Sequence, residues 1–561
     1  MTTANNEHDL ISSLLLRRGV TTDDDREAFL NPSYEKHTHD PFLMQDMDRA
    51  VARILLAIAQ KERIAVYADF DCDGIPGASV LSDFFTKVGY ENFEVYLPHR
   101  DREGYGVHQA AIELLAAGGV SLIVTVDVGT TAIESVHRAK ELGVDVIITD
   151  HHEILATLPD AYAIINPKLG TYPFRDLCGA GTAFKLVQAL LIEGKKRGLE
   201  MFTSIPDGWE KWLLDLVAIA TVADLVPLIG ENRALAYWGL KVLRKSQRPG
   251  IDALCRKTRI RKADLDETDI AFSFAPRINA ASRMGEPMLA LKLLTTRDEH
   301  EADDLAEQLE ELNASRKGVV GVIVKEAKKR AHDRFREGDR VTVLGDPSWK
   351  PALLGLAANS VLEDCGGIVC LWGRDVSGNL KGSCRSDGSI SVVELFSSAK
   401  DAFQEFGGHA ASGGFSVSPE QVHALPEALA KAAKTLVDKV LTAPSEYDEI
   451  ITVREVSQEL HKKITQLAPF GMGNPKPIFR VSRARITFVK RFGKEKNHTE
   501  VELICTDTGF RCRSFQFFKS PDDFSFYPVP EAAVSILATL ERDTFKGPHA
   551  LALRIIDIVK E

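Results

Sequence analysis

The run Val144-Asp145-Val146-Ile147-Ile148-Thr149-Asp150-His151-His152 sets the reading of this chain. A β-branched apolar stretch that closes in adjacent Asp, His and His places three metal-competent groups where a buried strand emerges. The pattern recurs upstream. Ile64-Ala65-Val66-Tyr67-Ala68 runs into Asp69-Phe70-Asp71-Cys72-Asp73-Gly74, and Leu122-Ile123-Val124-Thr125-Val126 runs into Asp127. Helical segments are expected over residues 77–88, 108–117 and 131–142. This alternation predicts an α/β fold with a parallel, doubly wound sheet. In such sheets ligands gather outside the carboxyl ends of the strands, so acids far apart in sequence can converge on one site.

Asp69, Asp71 and Asp73 alternate, and carboxylates this close repel one another unless cations neutralise them. Oxygen ligands mixed with an imidazole (Asp127, His151, Asp224) suit Mn²⁺ or Mg²⁺ better than structural zinc. This many ligands is enough for two ions, the arrangement that hydrolyses phosphodiesters. The Asp-x-Asp-x-Asp-Gly run also imitates the start of a calcium loop, but the position that needs a bidentate Glu is Val80. Asp224 is expected near the end of a buried helix over residues 213–222.

Phosphate recognition is expected from cations and glycine-rich loops. Arg100 follows a strand end in Pro98-His99-Arg100, Arg277 lies in Ala275-Pro276-Arg277-Ile278-Asn279, and Arg385 in a Gly382-Ser383-Cys384-Arg385-Ser386 turn. Arginine matches phosphate bidentately, and Ser383 adds a hydroxyl donor. A second glycine-rich turn, Gly407-Gly408-His409, lets backbone approach a phosphate and presents an imidazole to it. Residues 476–496 hold Lys476, Arg480, Arg483, Arg485, Lys490, Arg491, Lys494 and Lys496 against the single acid Glu495, with Phe479, Phe488 and Phe492 interleaved. Cations with aromatic platforms suit single-stranded nucleic acid, and the same pattern fits a solvated basic face over barrel-core phenylalanines.

At 561 residues the chain is expected to hold three or four domains. Residues 1–60 read as a helical segment packed against the first domain, 61–290 as the catalytic α/β domain, and 291–338 as one long connecting helix in which Gly318 and Gly321 are the points of potential interruption. Residues 339–444 read as a smaller α/β domain. Residues 445–561 read as a β-barrel with separate strands at 478–481 and 485–489. Eight scattered cysteines without a CxxC pair exclude a zinc ribbon and argue against a disulfide framework. The polar start has no signal-peptide plan, and no stretch approaches the ~20 apolar residues of a membrane span, so a cytoplasmic protein with no membrane partner is expected. The net charge of −11 disfavours nucleic acid on its face, but binding follows the local field of a groove.

Several motifs in order give the chain a resemblance to the DHH phosphoesterases, and within them to the RecJ-type single-strand-specific 5′→3′ DNA exonucleases. They are Asp69-Phe70-Asp71-Cys72-Asp73-Gly74, Val126-Asp127-Val128-Gly129, Asp150-His151-His152, residues 220–228, Arg277-Ile278-Asn279-Ala280-Ala281, Gly382-Ser383-Cys384-Arg385-Ser386, the Gly-Gly-His turn, and Pro469-Phe470-Gly471-Met472-Gly473-Asn474-Pro475. The resemblance implies a DHH domain, a DHH-associated domain and an oligonucleotide-binding (OB) barrel. It implies two Mn²⁺ or Mg²⁺ ions held by Asp69, Asp71, Asp73, Asp127, His151 and Asp224, with Asp127 bridging. His152 would stand beside the scissile phosphate and His409 would reach it from the second domain. Arg100, Arg277, Ser383 and Arg385 would form the pocket for the 5′ end, Asn279, Gly407 and Gly408 would also bind substrate, and Tyr105 would stack on a base. Single-stranded DNA is the implied substrate, with single-strand binding protein and a RecQ-like helicase as implied partners. Cys72, Pro76 and Ser282 depart from the family's usual residues, and none of them removes a ligand.

Two other readings stand beside this one. A relative acting on short oligoribonucleotides or cyclic dinucleotides would have no use for the basic barrel. A scaffold that has lost chemistry would not keep the full ligand set.

Overall fold

The computed structural model describes residues 10–334, 339–436, 447–493, 496–543, 546–547 and 550–561. Lys494 and Glu495 of the basic run, the end of the connecting segment and the stretch before the barrel lie outside the described residues. Two compact units form. The larger runs from His39 to Val226 and from Trp238 through the second sheet; the smaller joins the described residues up to Thr38, Pro227–Tyr237 and the C-terminal barrel.

In the larger unit β1 (Arg63–Ala68), β2 (Phe93–Tyr96), β3 (Val120–Val126), β4 (Asp145–Thr149) and β5 (Ala163–Ile165) form a sheet in the order β2-β1-β3-β4-β5. Every pairing is parallel. Ala65, Tyr67, Ile123, Val146 and Ile148 face a core shared with the helices Gln109–Ala117 and Ile133–Glu141. The alternate residues face the helices Gly74–Lys87 and Gly179–Lys196. Coverage of both faces explains why the strands read as unbroken apolar runs. The strand order reverses direction between β1 and β3, which is where a parallel sheet opens a crevice. Asp69 follows β1 and Asp127 follows β3, so the crevice opens between the two expected acids.

The connecting helix Glu299–Arg334 is 36 residues long and passes Gly318 and Gly321 without a break. Both glycines are solvent-facing, and each costs only about 1 kcal/mol relative to alanine. Leu305 and Leu309 on one half, and Ile323, Ala327 and Ala331 on the other, are buried at helical spacing and hold the helix through them.

The second sheet of this unit has β6 (Val341–Gly345), β7 (Ile368–Arg374), β8 (Leu380–Ser386), β9 (Glu405–Gly408) and β10 (Ser412–Val417) in the order β6-β7-β8-β10-β9. Only β6–β7 is parallel within it. Gly382 to Ser386, expected as a turn, is part of strand β8. The turn lies earlier, where the Asp375 amide donates to the Asn379 carbonyl. Gly382, Cys384 and Ser386 are buried in alternation, which leaves Ser383 and Arg385 together on the other face. Period-two burial thus overrides the turn signal of the glycine.

In the smaller unit β11 (Glu449–Thr452) precedes a closed barrel of β12 (Phe479–Phe492), β13 (His498–Cys505), β14 (Arg511–Gln516), β15 (Ala533–Arg542) and β16 (Leu551–Lys560). The pairing of β12 with β15 closes it. The two strands expected at 478–481 and 485–489 are one, bent at a register shift where Arg483 takes φ 54°. Ile11, Leu14, Leu15 and Phe29 lie in the core of this barrel. The expectation that residues 1–60 pack as a whole on the first domain is therefore corrected. Only the later part, including the helix Met47–Gln60, joins the parallel sheet. An apolar helical stripe states that a face is buried, not against what. Among the described residues no helix is long and apolar enough to cross a membrane.

Candidate metal centre and nucleic-acid cleft

Three strand ends and one helix end build the centre. The Asp69 amide donates to the Val126 carbonyl and the Asp127 amide to the Thr149 carbonyl, so β1, β3 and β4 are tied together at the residues that carry the ligands. Asp127 sits at φ 62°, which turns its side chain out of the strand direction. Asp71 Oδ1 accepts from the amides of Asp73 and Gly74, a local turn that starts the following helix. Asp73 accepts from the amides of Gly179 at 2.6 Å and Ala180 at 2.7 Å, at the N-terminus of the helix Gly179–Lys196. That dipole favours a carboxylate. Asp224 caps the helix Leu214–Ala223, as expected.

His151 Nε2 lies 3.1 Å from Asp127 Oδ1 and 3.7 Å from both Asp73 Oδ2 and Asp224 Oδ2. Asp69, Asp71 and Asp127 form a second convergent group. The Oδ1 atoms of Asp69 and Asp127 are buried without a hydrogen-bond donor. Buried acceptors aimed at one another are costly unless a cation lies between them. Burial, then the neighbouring carboxylates, pushes Asp73 up to about 6 and Asp224 up to about 9, and carries Asp69 and Asp127 well above the carboxylate range. Burial, then His152, lowers His151 to about 4, which keeps its imidazole neutral as a ligand must be. The residues fit two divalent cations such as Mn²⁺ or Mg²⁺.

Asp150 belongs to no convergent group. Its carboxylate accepts from the amides of Thr130, His151 and His152 and from His152 Nδ1. Burial would raise it, but the His152 hydrogen bond and charge hold it well below the usual range. Asp150 therefore orients His152 and stands outside the convergent groups found among the described residues, a division that the run of adjacent Asp, His and His does not reveal. His152 is lowered by burial and raised more by Asp150. Its ring meets Tyr105, whose hydroxyl is 3.2 Å from Nδ1 and 3.3 Å from Nε2.

A cleft of about 310 Å³ adjoins the centre, lined by Phe70, Arg100 and Tyr105 from the first sheet's domain and by Gly382, Gly414 and Phe415 from the second. Arg100 stacks 4.9 Å over Phe70, the residue between Asp69 and Asp71. Arg385 extends against Gly355, where an added Cβ would stand 2.5 Å from Nη2. Arg283, absent from the sequence reading, donates to the Ala352 carbonyl at 2.8 Å. Burial, then Arg100 and other guanidiniums, lowers Arg283 to about 9. Among the described residues none of Arg100, Arg283 and Arg385 forms an ion pair, so three guanidiniums crowd beside the acidic centre, whose Asp71 acts on Arg283 and whose Asp69 feels Arg100. Arg283 follows the Arg277-Ile278-Asn279-Ala280-Ala281 motif by two residues, and that proximity is the sequence signal that could have pointed to it. Lys350 pairs with Asp101 at 2.9 Å and further ties the two domains at this cleft.

Two expected residues are engaged differently. Arg277 is bound to Glu310 of the connecting helix and to the Ser273 carbonyl. Asn279 Oδ1 accepts the Cys72 amide at 3.0 Å and so braces the acidic loop. His409 is exposed at the β9–β10 hairpin tip, its amide bonded to the Ser412 carbonyl. Gly408 takes φ 147°, and a Cβ there would stand 2.3 Å from the Ser412 carbonyl oxygen. Gly407 pairs with Gly414 in the same hairpin.

On the barrel Phe479 is core, whereas Phe488 is 48% exposed. Lys476, Arg483, Arg485 and Arg491 are paired with Glu541, Asp507, Glu531 and Asp522. Four of the run's eight cations are thus paired within the barrel.

Residues 63–221 match the DHH family N-terminal domain, 338–437 the DHHA1 domain and 447–557 the RecJ OB domain. The chain is 35% identical over 552 residues to the single-stranded-DNA-specific exonuclease RecJ of Bacillus subtilis, covering 98% of this chain and 67% of that one. It is 31% identical to the RecJ of Escherichia coli over 78% of each. The crystal structure of Thermus thermophilus RecJ in complex with Mn²⁺ superposes with a TM-score of 0.80 at 27% identity, covering 98% of this chain and 76% of that one. A second RecJ structure bound to manganese gives 0.62 at 32% identity, over 72% and 99%. The chain belongs to the RecJ family of DHH phosphoesterases.

Proposed function

We propose that the protein is a single-stranded-DNA-specific exonuclease that removes nucleotides from the 5′ end by metal-dependent phosphodiester hydrolysis, in DNA recombination and repair. The observation that carries this is the meeting of Asp69, Asp127 and His151 at the sheet's switch point, with donorless carboxylate oxygens, beside three unpaired arginines. Asp69, Asp71, Asp73, Asp127, His151 and Asp224 hold two Mn²⁺ or Mg²⁺ ions, which supply an activated water and charge stabilisation when bound. His152, raised by Asp150, donates to a phosphate oxygen, and His409 approaches from the hairpin. Tyr105 stacks on the terminal base. Arg100, Arg385 and Ser383 engage the 5′ end, with Arg283 adding charge. Arg277 and Asn279 brace this pocket, and Gly407 and Gly408 shape the hairpin.

Selectivity for single strands follows from the narrow cleft that Lys350–Asp101 and Arg283–Ala352 hold together. Family likeness supports a cytoplasmic location and cooperation with single-strand binding protein and a RecQ-like helicase. The short-oligonucleotide reading is disfavoured by the OB barrel, which so small a substrate would not use. Asp127→Ala tests the assignment: the folded variant should bind less metal and show no hydrolysis, and retained cleavage would refute it.

A further inference from the structure

Trp209 and Trp212 lie on the short 3₁₀ helix Trp209–Leu213. Three residues per turn eclipse positions i and i+3, so the two indoles share one face. They line a cavity of about 220 Å³ that has no lining residue in common with the cleft described above. Its floor is a buried ionic network: Arg248 meets Asp83 at 2.6 Å and Asp215 at 2.8 Å, and the Ser246 hydroxyl donates to Asp215. Asp83 also accepts from Arg297 Nη2 at 2.8 Å, so both acids are committed to guanidiniums. The rim is left open. The Arg297 side chain is 63% exposed and engages only that one nitrogen, and the Gln247 amide and both indole nitrogens have no acceptor among the described residues. Lys87 stands 5.8 Å over the Trp209 ring and forms no ion pair among the described residues. Trp212 is 50% exposed. An indole N–H at a packed site ordinarily finds a partner. Aromatic surface, unused donors and cationic side chains together select a planar ligand that carries acceptors and negative charge.

We infer that this cavity is a second nucleotide site, separate from the catalytic cleft, that takes one deoxynucleoside 5′-monophosphate. The base lies against Trp212 and Trp209, and the phosphate meets Arg297 and Lys87. The choice of a nucleotide over another aromatic anion rests on the function proposed above, whose product has this chemistry. Size decides between a nucleotide and a strand. Sites for drug-sized ligands enclose about 300–1,000 Å³, so this smaller cavity admits a single nucleotide. The helix Gly74–Lys87 starts directly after Asp73 and carries Asp83 and Lys87 in its last turns. Its length of about 20 Å separates the site from the metal centre, so the two can be occupied and read independently.

The test is isothermal titration of the full-length protein with dAMP in EDTA. Trp212→Ala should weaken binding roughly tenfold through lost stacking, and Arg297→Gln should do likewise through the phosphate. Arg385→Ala, in the catalytic cleft, should leave the affinity unchanged. Deoxyadenosine and inorganic phosphate, each alone, should bind at least tenfold more weakly than dAMP. Both rim variants should keep the parental melting temperature, because Arg248 still holds Asp83 and Asp215. Their initial rates on a saturating 5′-phosphorylated dinucleotide should also be unchanged. An affinity that neither rim variant alters, or that Arg385→Ala abolishes, would put the nucleotide in the catalytic cleft and overturn the inference. An acidic peptide bound here with no uptake of dAMP would overturn it too. A protein that binds dAMP through Trp212 yet cleaves no DNA would overturn the proposed function and leave the site standing.

Discussion

His152 Nδ1 and Asp150 Oδ1 are 2.8 Å apart, and the same carboxylate is fixed by three backbone amides. An anion that cannot rotate therefore sets the orientation and charge of the histidine. Outer partners of this kind commonly matter by 10–100-fold, so Asp150→Asn should lower turnover by about that factor. Metal stoichiometry should stay at the parental value. Unchanged kcat would remove Asp150 from the mechanism.

The clustered carboxylates make the metal-free protein pH-sensitive in a defined direction. Asp73 at about 6, Asp224 at about 9, and Asp69 and Asp127 well raised, all exceed the unfolded value of about 3.9. A raised folded pKa contributes stability that is complete below the unfolded value and is lost as pH rises through the folded one. In EDTA the melting temperature should therefore fall from about pH 5 to about pH 9, and Mn²⁺ should restore it at the alkaline end. A rise over that interval in EDTA would contradict the crowding of these acids.

Asp127→Asn follows from the same geometry with opposite signs for stability and function. Removing one charge from the buried cluster should raise the metal-free melting temperature at alkaline pH while abolishing hydrolysis. Calorimetry with and without Mn²⁺ checks both signs.

Gly179 is confined by Asp127: a Cβ there would stand 2.4 Å from Asp127 Cβ and 2.6 Å from Oδ1. Its amide also holds Asp73. Gly179→Ala should cost activity at least a hundredfold and weaken metal binding, a misplacement effect of known size (~10²-fold). Isothermal titration with Mn²⁺ and turnover measured together check it.

Arg283→Ala removes one of three crowded guanidiniums. The preference for a 5′-phosphorylated over a 5′-hydroxyl strand should fall by roughly tenfold, with kcat on the phosphorylated strand changed less than KM. Equal losses on both strands would assign Arg283 to domain contact alone through Ala352.

The catalytic fold was legible because parallel strands buried on both faces write themselves as apolar runs, and their carboxyl ends as acids. The convergence of Asp69, Asp127, His151 and Asp224 was legible from their places at strand and helix ends. The partners that ligands need were not legible: Asp150 resembles a ligand in sequence, and Asn279 resembles a substrate contact, until hydrogen bonds are seen. Arg385 was placed in a turn because glycine and serine dominate its neighbourhood, whereas cross-strand pairing with β7 and β10 makes that neighbourhood a strand. Helical periodicity showed that Leu14 and Leu15 are buried, but their partners lie more than four hundred residues away in sequence, and no local pattern carries that information. The basic run was visible as composition, and the pairing of four of its cations with Glu541, Asp507, Glu531 and Asp522 depends on strand pairing that composition does not contain.

The most direct measurement combines purified protein, Mn²⁺ and a long DNA labelled at its 3′ end, offered single-stranded or annealed. The account requires labelled products that shorten progressively from the 5′ end on the single strand, none on the duplex, and none in EDTA. Cleavage confined to fragments of two to five nucleotides, or equal digestion of the duplex, would contradict it.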